Sequence, residues 1–249
     1  MGRLPMRREA VSFFAEMYRI GNPPWDIGRA QPAFVELANA DEIKGRVMDL
    51  GCGTGDLALE LAERGHDSWG VDIVAAAVRQ CRAKMRLRDL QAQFLCGDAL
   101  EVEHLRQRFD TVTDCGLFHI FSDPERQIYE QQLRRIVSAG GRLHIMAMSD
   151  WEDAGWGGPR RVSQQEILDT FGTGWKLDDI REARFLTRPG YPIRGHAWLA
   201  SLRRDRTRSR VTTKKAIANA PASNCMPPDP GAAGPAAPSR RTVRTPAGI

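Results

Sequence analysis

Five cysteines, odd in number and never spaced C-x-x-C, give this chain neither a disulfide framework nor a zinc-ligand pattern. Cys52, Cys81, Cys96, Cys115 and Cys225 are scattered, the usage of a reducing compartment, so a cytoplasmic location is expected. The opening Met1-Gly2-Arg3-Leu4-Pro5 has no apolar signal core. No apolar run is long enough to span a bilayer, so no membrane partner is expected. No cluster of acids with histidine suggests a metal, and no repeat of solenoid period occurs. An excess of positive charge is also missing where it first seems present. The chain of 249 residues is formally +5, but from Arg203 onward ten Lys/Arg face two Asp, a net of +8. Residues 1–202 are left at −3, so the chain's basic balance says nothing about the body's active face, and nucleic acid is not the partner expected.

What is present centres on Val47-Met48-Asp49-Leu50-Gly51-Cys52-Gly53-Thr54-Gly55-Asp56. A short buried strand, alternate glycines and a helix over 56–64 form a nucleotide cradle, because glycine lets the backbone bend and approach a ligand. The dinucleotide fingerprint G-x-G-x-x-G would need a last glycine at 56, where Asp stands. Asp49, at the strand's end, would repel a pyrophosphate and favour a cation such as an amino-acid ammonium. S-adenosylmethionine (SAM) has that ammonium, a sulfonium and no phosphate. Asp49-Leu50-Gly51-Cys52-Gly53-Thr54-Gly55 resembles motif I of the class I SAM-dependent methyltransferases. The resemblance implies an α/β, Rossmann-like fold: a seven-stranded, mostly parallel sheet with helices on both faces, and SAM as cofactor.

The rest of the chain follows a βαβ rhythm. Residues 7–18 carry helical spacing in Val11, Phe14, Ala15 and Tyr18, and Asn22-Pro23-Pro24 breaks it. A second helix is predicted from Pro32 to Ala40. The segment Pro23-Pro24-Trp25-Asp26-Ile27-Gly28-Arg29, with Gln31-Pro32, resembles the arm of thiopurine-methyltransferase-like and benzoquinone or heterocyclic-phenol methyltransferases. In those enzymes the arm closes over SAM. Trp25 is accordingly a lid residue, or else an anchor packing the arm. A second strand over 68–72 ends at Asp72, 23 positions after Asp49 and suited to a ribose diol, or to capping the next helix. A third strand, 93–96, runs into Gly97-Asp98-Ala99-Leu100, which resembles the family's adenine-bracketing loop. A fourth strand is predicted over 109–115. A helix then runs from Pro124 to about Val137, with Ile128, Leu133 and Ile136 inward and Ala139-Gly140-Gly141 ending it. The fifth strand is Arg142–Met148. A short helix over 164–170 and strands at 175–185 and 196–202 follow.

The cofactor shell is thereby assigned to Trp25, Asp49, Gly51, Cys52, Gly53, Gly55, Asp72, Ile73, Asp98, Ala99 and Asp114. The acceptor side falls after the fourth strand, at Gly116-Leu117-Phe118-His119, over the carboxyl ends of the sheet. His119 is the candidate general base, with packing or a backbone bond as the alternative. Phe118, Trp151 and Trp156 are candidate walls for an aromatic acceptor. The Pro-Pro pair of amino-directed DNA methyltransferases is missing after Asp114-Cys115. The organisation expected is an N-terminal arm or lid over 1–42, a SAM-binding domain over 43–203 and a disordered basic Ala/Pro-rich tail over 204–249. The reading is a SAM-dependent methyltransferase acting on an O, S or N nucleophile of a small aromatic or heterocyclic molecule. Its rivals are an RNA or protein methyltransferase using the tail, a non-catalytic SAM-binding protein and an NAD enzyme.

Overall fold

The computed structural model describes residues 5–21, 23–153, 158–190 and 194–206. Helices α1 (Pro5–Arg19) and α2 (Pro32–Asn39) precede the sheet. Strand β1 (Arg46–Leu50) leads to α3 (Asp56–Glu63), β2 (Asp67–Asp72), α4 (Ala75–Leu87) and β3 (Gln93–Cys96). After β4 (Phe109–Cys115) come α5 (Asp123–Ile136), β5 (Val137–Met148), α6 (Gln164–Thr170), β6 (Trp175–Arg184) and β7 (His196–Arg204). The sheet order is β3-β2-β1-β4-β5-β7-β6. All pairs are parallel except those of β7, which is antiparallel to both neighbours. Strand order reverses between β1 and β4, so a crevice opens there at the carboxyl ends.

Alternation along the strands builds a layer on each face. Met48 and Leu50 share one core with Tyr129, Leu133 and Ile136 of α5. Val47 shares another with Phe34 and Leu37 of α2 and Leu57 and Leu61 of α3. Burying each such side chain contributes roughly 1.5–3 kcal/mol. Helix α5 starts at a capping box in which the Ser122 N–H donates to Glu125 Oε2 at 2.9 Å.

Three expectations are corrected. Ile128 is 43% exposed. Tyr129 takes the inward position, in register with Leu133 and Ile136. Helix α5 ends at Ile136, and Ala139-Gly140-Gly141 lies inside β5 instead of beyond a helix end. There the β4–β5 register passes from Phe109↔Val137 to Thr111↔Arg142, and Gly140, at φ +77°, takes the irregularity. A 3₁₀ turn over Ala99–Leu105 replaces the plain loop after β3. Among the described residues no helix is long and apolar enough to cross a membrane, and no group of His, Cys, Asp and Glu could hold a metal ion.

Candidate active site

Strand β1 delivers the glycine loop to the crevice. Gly51, Gly53 and Gly55 all have positive φ (68°, 56° and 85°), a region that costs other residues energy. The N–H groups of Gly51 and Cys52 donate to Val71 O at 2.8 and 3.0 Å, stitching the loop to β2. A Cβ on Gly53 would stand 2.9 Å from the Tyr18 hydroxyl of α1, so the arm lies directly against the loop. Asp56, where a dinucleotide site would have glycine, accepts from Lys84 Nζ at 2.7 Å, and Lys84 also donates to Thr54 Oγ1 at 2.8 Å.

Asp49 is buried beneath this loop and accepts from Thr113 Oγ1 at 2.9 Å. Burial, and then the neighbouring Asp114 and Asp72, push its carboxyl up to about 7, against the Thr113 bond. Asp72 accepts from the Gly53 N–H at 2.9 Å and from the Val74 N–H at 2.8 Å. It therefore ties the glycine loop to the start of α4, and burial raises it to about 6. Two lone pairs per oxygen leave it able to accept further bonds. Asp98 caps the 3₁₀ turn through the Leu100 N–H at 2.9 Å, with Ala99 buried behind it. Ile73 packs against the buried cluster of Tyr18, Val74 and Ala77. The Cys52 thiol is pushed up by its hydrogen bond to Cys81 and by burial. The Cys81 thiol donates to Gly53 O at 3.1 Å.

The acceptor-side assignments change most. Asp114 is fully enclosed and accepts from Tyr129 Oη at 2.8 Å and from the N–H groups of Leu117 and Phe118 at 2.7 and 3.2 Å. It holds the turn that presents His119. Phe118 is a core residue and not a pocket wall: it is fully buried against Phe171, with the Arg126 guanidinium 4.4 Å from its ring centroid. His119 makes the backbone bond that was the alternative to a general base. Its Nδ1 accepts the Met148 N–H at 3.0 Å, which fixes the proton on Nε2. Burial, and then Arg126, lower its pKa to about 3. Its ring stands edge-to-face with Phe185, the ring centroids 5.8 Å apart. Trp151 is 56% exposed and lies against Trp198, while Trp156 falls outside the described residues.

Sequence reasoning missed the bonds that mount the arm. Trp25 Nε1 donates to Tyr18 Oη at 3.0 Å, and burial pushes the Tyr18 phenol well above its usual range. Asp26 Oδ2 lies 3.2 Å from Thr54 Oγ1. Gln31, buried at the N-terminus of α2, accepts from the Leu186 N–H and donates to Leu186 O, both at 2.9 Å. Only the arm segment over 23–29 with Gln31-Pro32 hinted at Asp26 and Gln31, and Thr54 and Leu186, 28 and 155 positions away from them, left no local signal.

Comparison with known proteins is consistent with this geometry. The family described as "Methyltransferase domain" matches residues 47–141. The 2-heptyl-1-hydroxyquinolin-4(1H)-one methyltransferase of Mycobacteroides abscessus is 32% identical over 167 residues, 65% of this chain and 72% of the relative. The protein named "Probable thiol methyltransferase 2" of Arabidopsis thaliana is 28% identical over 164 residues, 65% and 72% of the two chains. A solved structure reported under "Conversion of a Disulfide Bond into a Thioacetal Group during Echinomycin Biosynthesis" is 34% identical, with a TM-score of 0.73, covering 80% of this chain and 94% of that one.

Proposed function

The chain belongs to the SAM-dependent methyltransferases, and from that premise we propose that it methylates a small molecule whose nucleophile ionises without a protein base. That class includes thiols and acidic hydroxyl or N-hydroxy groups on aromatic or heterocyclic rings. The cradle suits the cofactor chemically. Three glycines at positive φ turn the loop sharply and carry no side chain at alternate positions, Asp49 puts a carboxylate where an ammonium would lie, and Asp56 denies a pyrophosphate the fingerprint glycine. Asp49, Gly51 and Gly53 are the residues we assign to the amino-acid end, Asp72 to the ribose and Asp98 with Ala99 to the adenine. Trp25 covers the pocket. When bound, SAM supplies an electrophilic methyl group on a sulfonium.

The observation that carries the reading is His119. An imidazole whose Nδ1 accepts from the Met148 N–H and whose Nε2 carries the proton can donate a hydrogen bond but presents no free lone pair to an acceptor's proton. Asp114, which holds the turn leading to His119, is committed as well, to three donors. The protein's contribution is then to align the acceptor and exclude water. The hydroxyquinolone and the thiol in the names of two relatives are both groups that can ionise unaided, which supports the same class.

The test is a set of pH–rate profiles, read by labelled methyl transfer from SAM, for an aryl thiol, an N-hydroxyquinolone and an unactivated phenol. The rate should rise with each acceptor's own ionisation, with the phenol slowest below its pKa. His119→Gln should change rates without moving those midpoints. A midpoint that is the same for all acceptors and vanishes in His119→Gln would overturn the proposal.

A further inference from the structure

We propose that Asp26 and Gln31 are positioning residues that couple the cofactor loop to the acceptor wall. Filling the cradle would then fix residues 185–190 beside His119. The proposal rests on SAM as cofactor and not on the identity of the nucleophile, so either can fail alone.

The segment after β6 has an unusual support. Strand β6 is the sheet's edge and pairs with β7 alone. Beyond Arg184 that ladder stops, and the chain's backbone groups must find other partners. Phe185 N–H donates to Gly195 O at 2.8 Å, the last backbone bond of the hairpin among the described residues. Leu186 then pairs with no strand: the Gln31 carboxamide takes both its N–H and its C=O, imitating a ladder partner with a side chain. Two residues on, the Arg188 N–H donates to Pro24 O at 2.9 Å and its Nε to Asp26 O at 2.6 Å. The segment is thus hung on the N-terminal arm.

Of these arm residues, Asp26 also reaches the cofactor loop, while Gln31 anchors the segment to the start of α2. Asp26 Oδ2 lies 3.2 Å from the Thr54 hydroxyl, between Gly53 and Gly55, while its Oδ1 accepts the Gly28 N–H at 3.1 Å. Asp26 therefore links motif I through its side chain and Arg188 through its carbonyl. Gln31 sits on α2, which Phe34 and Leu37 anchor in the core, so it is a fixed post rather than a moving one. Phe185, next in the chain to Leu186, carries the ring that meets His119. A ligand that orders the glycine loop thereby orders, through Asp26, the arm and the wall of the acceptor site.

Hydrogen–deuterium exchange on the full chain, with and without S-adenosylhomocysteine, tests this directly. In the wild type the product should slow exchange over 51–55 and also at the amides of Leu186 and Arg188, by about tenfold, the mark of suppressed local opening. Gln31→Met, close in size but without either hydrogen bond, should keep protection at 51–55 and lose it at Leu186. Asp26→Ala should do the same at Arg188, and Asp26→Asn, which still accepts from Thr54 or Gly28, should restore it. The melting temperature of each variant is recorded alongside. Should Gln31→Met not fold, the Asp26 pair decides. Wild-type amides at 186 and 188 that ignore the product would overturn the proposal, and so would variants as protected as the wild type.

Discussion

At neutral pH the carboxyl of Asp49, held near 7 by burial, is divided between its two forms in the unliganded protein. Its pKa in the fold lies above its unfolded value, so the stability it adds is complete below about 4 and disappears as pH rises through about 7. Asp72 and Asp114, each near 6, act in the same direction. The unliganded protein should therefore lose melting temperature between pH 5 and pH 7.5, as about 4 to 7 is the window those shifts define. An ammonium beside Asp49 favours the carboxylate, so SAM binding should release protons and tighten with pH up to about 7. Calorimetry in two buffers of different ionisation enthalpy measures that release. Asp49→Asn should abolish it and weaken SAM by roughly tenfold or more, the size of a lost charge-assisted bond. Proton-independent binding in the wild type would remove Asp49 from the amino-acid end. Asp72→Ala should reduce both affinity and stability, the latter by about 1–3 kcal/mol, because it strands the N–H groups of Gly53 and Val74. Denaturant titration beside calorimetry separates the two. The acids at the strand ends were legible in the sequence because spacing and charge are local. The state of His119 was not, because it is set by Met148, 29 positions away, and by enclosure.

The elements themselves were largely written in periodicity. Strands β3 and β4 and helix α6 run over the stretches their patterns indicated, since short apolar runs between turn residues leave little choice of boundary. Helix α5 and β5 were harder. An Ala-Gly-Gly run reads as a helix end, but pairing with β4 from Phe109 onward draws residues 137–141 into the sheet. The arm is the element whose role most needs an experiment. Tyr18, Val74 and Ala77 form a small buried cluster with Phe14, Ala15 and Trp25 around it, so α1 lies on α4 beside Gly53. We infer that α1 slows cofactor escape. Removing residues 1–21 spares Pro24, Asp26 and Gln31, so it should leave the sheet's circular dichroism in place and speed dissociation of S-adenosylhomocysteine about tenfold or more in stopped flow. Unchanged dissociation would make α1 a packing element only. Gly53→Ala approaches the same point from the loop: its Cβ would need both φ 56° and room within 2.9 Å of Tyr18 Oη.

On the scale of the whole molecule the question is what the basic tail does for an acidic body. The domain boundary proposed at Arg203 falls one residue inside β7, and the structure shows why the strand continues. Arg204 pairs with Trp175, its guanidinium donates to Val137 O, and the Asp205 N–H donates to Gly174 O at 3.0 Å. Arg206 lies over Gly140, at the β5 irregularity. A chain cut after Arg203 should thus lose stability for reasons unrelated to the tail, about 1 kcal/mol for each backbone bond lost. The informative cut is after Arg206. Residues 207–249 lie outside the described residues and are rich in Ala and Pro, with seven of the chain's 15 prolines. Every residue assigned to the cofactor or acceptor lies before 200, so a chain ending at Arg206 should keep its melting temperature, its SAM affinity and its small-molecule turnover. If the tail instead carries a polyanionic partner to the body, RNA binding by the full chain should fall steeply with salt and vanish on truncation, while turnover on free small molecules stays put. A drop in melting temperature or SAM affinity on truncation at Arg206 would mean that the tail docks on the domain, and that the catalytic unit extends past β7.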